Sequence, residues 1–174
     1  MDEKWDREIK FLNLMGTHYP DLVPKYDIDL TEKKIYLKID GADFWEQAGC
    51  VTENYDKVLP DWREQMLGII QAHKSLGIYK YSMHPSSYFI IDGKLKSMNY
   101  FFCYTDDDPG INIKSLLSHI SDDRQRDLFL KMHYLGIDID EITSFKDIQM
   151  LAFESFKTNF PADFMEEAKK IYAA

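Results

Sequence analysis

The sequence predicts an α+β fold: a helix and a β-hairpin at the N-terminal end, then a mainly helical remainder interrupted by a second β-hairpin. Three observations predict it. Apolar residues recur at helical spacing as Trp5, Ile9, Leu12 and Met15, and again as Trp62, Met66, Ile69, Ile70, His73 and Leu76. Two alternating runs flank Asp92-Gly93, the strongest short hairpin signal a sequence offers. The C-terminal third carries three helix-start signals, at Ser121, at Ser144 with Asp147, and at Pro161.

Composition bounds the rest. A chain of 174 residues suits one domain and buries about 70% of its unfolded surface, enough to fold without metal or disulfide. Forty-five per cent hydrophobic residues, with 11 Tyr, 11 Phe and 3 Trp, exclude a disordered chain. No apolar run approaches the roughly 20 residues of a membrane span. The acidic start Met1-Asp2-Glu3-Lys4 lacks a secretory h-region, and Cys50 and Cys103 have no metal-ligand spacing, so a soluble, cytoplasmic protein is expected. The net charge of −9 argues against nucleic acid or anionic membrane as partner.

The first helix is expected over about residues 3 to 15, with Gly16 as its stop. Tyr26 to Asp29 and Lys34 to Ile39 read as two strands of a hairpin, joined by a solvated turn. Residues 43 to 57 form a short helix and loop, with Phe44 and Trp45 as core anchors. Pro60 opens the clearest helix, and Gly77 ends it. His73 lies on its apolar stripe with no second His or Cys one turn away, so it is a packed histidine without chemistry. Tyr88 to Ile91 is a strand, and on the return Leu95, Ser97 and Asn99 alternate with Lys96, Met98 and Tyr100. The acidic turn Thr105 to Gly110 fails as an EF-hand, which would need Gly and Glu where Ile111 and Leu117 stand. Helices then run from Ser121 to Gly136, after Ser144, and after Pro161. No repeat, low-complexity segment or flexible linker divides the chain.

The stretch Ile78 to Phe102, IYKYSMHPSSYFIIDGKLKSMNYFF, resembles the catalytic segment of the protein-kinase-like fold, on the side of the aminoglycoside and choline kinases. A helix ends at Gly77; then come His84-Pro85, a strand, the Asp92-Gly93 turn, and Asn99-Tyr100 where the family has Asp-Phe. The resemblance implies residues 1–47 as a small-lobe remnant and 48–174 as the large lobe, within one domain. It implies Glu8 as the glutamate facing the phosphate-binding lysine and Asp40, before Gly41, as the hinge, although a Glu on an amphipathic helix is ordinarily solvated. Lys80 then stands at the family His, Ser82 at the base Asp, Ser87 at the metal-binding Asn and Asn99 at the metal-binding Asp.

Those substitutions remove the chemistry. A serine hydroxyl is no base at neutral pH, and a positioned base is worth about 10²- to 10⁴-fold in rate. Magnesium is usually held by carboxylates, whereas Ser87 and Asn99 offer neutral oxygens. The eight glycines contain no G-x-G-x-x-G, so the phosphate clamp that the family places before its first helix is expected to be missing. A truncated, pseudokinase-like protein without cofactor or metal is therefore expected, acting as a binding or regulatory module for a protein partner. Two alternatives stand beside it. One is a phosphotransferase of altered mechanism, with Lys80, His84 and Asn99 lining the cleft and Asp92 or Asp106 lending a carboxylate. The other is a small-molecule-binding protein with its ligand near Lys80 and Lys96. If another chain supplied strands, it would dock on the sheet edge near residues 34 to 39.

Overall fold

The structure is a computed structural model describing residues 3–108 and 136–174. Six helices and three two-stranded antiparallel sheets make an α+β fold among the described residues. The expected helix between Ser121 and Gly136 lies outside them. None of the described helices is long and apolar enough to cross a membrane.

Helix α1 spans Glu3–His18 and buries Phe11, Leu12 and Met15, while Trp5 and Ile9 are only partly covered. Its inward face is thus rotated from the expected stripe. Gly16 does not stop this helix. A Cβ there would lie 2.5 Å from the Tyr26 hydroxyl oxygen, so Gly16 permits the close approach of strand β1 (Tyr26–Asp29). β1 pairs with β2 (Lys34–Leu37), two residues shorter than expected, with Asp27 opposite Tyr36 and Asp29 opposite Lys34. The Asp29 carboxylate accepts from the N–H groups of Thr31 and Glu32 at 2.9 Å, closing the turn.

Two short helices follow, α2 (Phe44–Gln47), capped by Asp43, and α3 (Tyr55–Val58). Phe44 is fully buried as expected; Trp45 is only partly so and rests on the core's edge. Helix α4 (Trp62–Ser75) buries Trp62, Met66, Ile69, Ile70 and His73, and Gly77 ends the run at φ +68°. After the strands described below, α5 (Phe145–Ser155) begins with a reciprocal capping box between Ser144 and Asp147, and α6 (Ala162–Ala173) follows Pro161.

The larger core joins α2 to α6 around an aromatic cluster in which the Trp62 ring lies 5.1 Å from Tyr55 and 4.9 Å from Phe164. The smaller core sits under α1, where Ala72, Ile78, Tyr100 and Cys103 meet Phe11, Leu12, Met15 and Val23. Because Phe44 belongs to the first core and Tyr100 to the second, the two interlock along the chain.

Candidate functional site

One short ladder holds both ends of the Ile78 to Phe102 stretch. β3 (Tyr79–Lys80) pairs antiparallel with β6 (Cys103–Tyr104), and the Tyr81 N–H donates to the Phe102 carbonyl at 3.1 Å. Strands of two residues have no period, which is why sequence analysis misses them. Between them, Pro85–Ser87 forms a 3₁₀ turn leading into β4 (Tyr88–Ile91). Asp92 and Gly93, at φ +52° and +75°, make the expected hairpin turn into β5 (Lys94–Ser97), both residues in the positive-φ region of a type I′ turn. The expected alternation ends there. Asn99 leaves the strand at φ +64°, a left-handed conformation that asparagine tolerates.

That kink brings Asn99 onto Ser87. The Asn99 Nδ2 donates to the Ser87 Oγ at 2.9 Å across 12 residues of sequence, with Ser87 itself buried. The two side chains thus meet through neutral groups.

The other loop positions serve structure. Lys80 is 0% exposed, and its Nζ donates to the Ser82 carbonyl at 2.5 Å and lies 5.3 Å from the Tyr100 ring centre. Ser82 thus contributes its backbone oxygen to that bond. His84 accepts from the Ser86 N–H through Nδ1 at 3.1 Å, capping the 3₁₀ turn, and its ring stands edge-on to Trp45 and Phe156. Asp40 is exposed before α2, outside the buried cluster.

Glu8 is not the solvated residue its helix led one to expect. Burial raises its pKa above the usual carboxylate value, opposed by the Lys80 charge and by the backbone amides of Tyr100 and Phe101 that face it. The positive charge that acts on it is that of Lys80, whose ammonium is itself bonded to the Ser82 carbonyl. Burial in turn lowers the Lys80 pKa to about 8, against the pull of the Cys103 and Glu8 charges. His73, bonded through Nε2 to the Tyr100 hydroxyl at 2.9 Å, is pushed down to about 3 by burial and then by Lys80. Burial also raises the thiol of Cys103, which pairs opposite Lys80. This knot of Glu8, His73, Lys80, Tyr100 and Cys103 has perturbed groups without a single apolar-to-polar signal in the sequence, because its members come from four separate elements and the loop after β5.

The alternative sites do not assemble as expected. Lys96 lines a cavity of about 620 Å³ with Asp61, Glu64 and Lys94, and donates from Nζ to the Asp21 carbonyl at 2.5 Å; Lys80 does not line it. Asp92 caps the far end of the β4–β5 hairpin, about 13 Å of strand rise from Tyr88, the residue after Ser87. Asp106 accepts from the Tyr79 hydroxyl at 3.3 Å. Asp108, in the same acidic turn, is bound by the Arg7 guanidinium at 3.1 Å. No protein-family model matches this chain, and no curated protein matches it.

Proposed function

We propose that this chain is a kinase-like binding module without phosphotransfer activity. The observation that carries this reading is the Asn99 to Ser87 hydrogen bond. Two residues at positions that resemble the metal ligands of kinases converge, yet neither bears a carboxylate, and the Ser87 oxygen already accepts a hydrogen bond from Asn99. The β3–β6 ladder supports the reading, since it draws the segment after the hairpin back beside the loop that precedes it. The Lys80 ammonium supports it as well, being turned into the protein rather than toward a phosphate.

A thermal-shift titration with ATP, with and without magnesium, tests the proposal. Ligand at 100 times its Kd adds about 2.7 kcal/mol to the native state. No magnesium-dependent shift is expected of the wild type, and one would overturn the inactive reading. The variant Ser82→Asp, Ser87→Asn, Asn99→Asp sharpens it: a magnesium-dependent shift gained there assigns the loss to these three positions.

A further inference from the structure

We propose that the free edge of β2 is the docking site for an extended acidic segment of another protein, which adds to the β1–β2 sheet as a third strand. This rests on reading the chain as a binding module.

The ladder determines which groups face outward. The Lys38 N–H donates to the Lys25 carbonyl at 2.8 Å, so the pairs Asp27–Tyr36 and Asp29–Lys34 are those that exchange hydrogen bonds. The N–H and C=O groups of Ile35 and Leu37 therefore point out to the edge, where they meet no backbone partner among the described residues. Tyr36 is 54% exposed between Lys34 and Lys38 on the outer face, and Leu30, in the adjoining turn, is 71% exposed. These are two of the three large exposed hydrophobics among the described residues.

Charge selects the occupant. Lys25, Lys33, Lys34 and Lys38 gather here in a chain of net charge −9. The nearby carboxylates are Asp27 and Asp29 on β1, Asp40 just beyond Lys38, and Glu32, whose carboxylate lies 3.5 Å from the Lys34 ammonium; along β2 itself, from Lys34 to Lys38, there is no acidic residue. Lysines on an edge deter indiscriminate strand addition; they also admit a strand that brings acidic residues. A second copy is disfavoured, because β2 paired antiparallel with itself about Tyr36 sets Lys34 against Lys38 of the other copy, and like charges directly opposite destabilise. The β1 edge fits less well, since its outer side chains are acidic and Pro24 just before it has no N–H to offer. The occupant that complements β2 places acidic residues opposite Lys34 and Lys38, an aromatic residue opposite Tyr36, and apolar residues opposite Ile35 and Leu37.

The probe is a fluorescein-labelled peptide, Ser-Glu-Val-Tyr-Val-Glu-Ser, titrated by anisotropy against the full chain, beside a peptide with Lys in place of both Glu. The acidic peptide is expected to bind at least about ten-fold more tightly than the lysine peptide. It should lose about ten-fold on the double variant Lys34→Glu, Lys38→Glu, and weaken with added salt. Hydrogen exchange on the wild type should show new protection at the Ile35 and Leu37 amides, a readout that does not depend on the variant folding. Absence of binding, equal binding of the two peptides, or protection that maps away from β2 would overturn the proposal. So would a wild-type dimer in sedimentation that the charge reversal dissolves. The ATP titration is separate: a protein inert to both ATP and peptide loses the edge and keeps the inactive reading, whereas one that binds peptide and magnesium-dependent ATP keeps the edge and loses that reading.

Discussion

The two cores of this molecule are held by different forces. Around α4, the buried residues are almost all apolar, with Trp62, Tyr55, Phe160 and Phe164 ring against ring, and the polar tips are placed at the margin: the Trp62 indole donates to Asp56 at 2.8 Å and the Tyr55 hydroxyl to the Asn159 carbonyl at 2.6 Å. Under α1 the core is smaller and adjoins charge, since Lys80 and His73 are enclosed with Tyr100, and Glu8 faces them. Apolar burial acts in proportion to area and has no preferred partner. A buried ammonium instead requires one particular carbonyl and one particular counter-charge. The first core therefore supplies stability, and the second fixes how α1 sits on the loop.

The sharpest test of this difference is truncation of the first core. Trp62→Ala should cost about 3–5 kcal/mol in urea unfolding, the range for removing a buried aromatic side chain. It should leave the dependence of stability on pH between 5 and 7 unchanged, because His73, whose lowered pKa governs that interval, makes none of its described contacts with the lost ring. A changed pH profile would mean that the cores are not separable.

The second core should respond to charge rather than volume. Lys80→Met removes the positive charge that favours the Glu8 carboxylate and the Nζ–Ser82 hydrogen bond, and Glu8→Gln removes the negative charge that favours the enclosed ammonium, so each single variant is expected to lose about 1–3 kcal/mol. The double variant should be more stable than the sum of the two losses by about 1–3 kcal/mol, since it removes both charges together. Additive losses in a double-mutant cycle would deny that Glu8 and Lys80 act as a pair and would return Glu8 to the solvent.

Much of the fold was legible because most elements announce themselves locally. The Ser144–Asp147 capping box, the Asp92-Gly93 turn and the α4 stripe each lie within a few residues and were found where expected. What was not legible depends on residues far apart. The β3–β6 ladder joins two-residue strands, and Gly16 looked like a helix stop because its true reason, the Tyr26 ring, lies on the next hairpin. At the candidate site, the Ser87–Asn99 hydrogen bond joins a 3₁₀ turn to the residue beyond β5 across 12 residues, and no local pattern announces it. Nor does any announce that Lys80 turns inward to Ser82 and faces Glu8, because a lysine in a sequence gives no sign of its burial.

His73 supplies the finest test of the contrast, because it titrates in the range where the protein is easiest to measure. Its folded pKa of about 3 lies below the ordinary 6.5, so the unfolded chain takes up a proton on acidification that the folded chain refuses. The stability this contributes is complete above pH 6.5 and is lost as pH falls toward 3. Between pH 7 and pH 5 the loss amounts to about 2 kcal/mol. His73→Gln retains an amide able to bond the Tyr100 hydroxyl yet does not titrate, so its stability curve should be flatter than the wild type's by that amount, whatever its absolute stability. Glu8, whose raised pKa acts in the opposite sense, is present in both proteins and cancels from the difference. Parallel curves would show that the ring is hydrated and protonated in the folded state, and that the core under α1 is as wet at His73 as the core around α4 is dry.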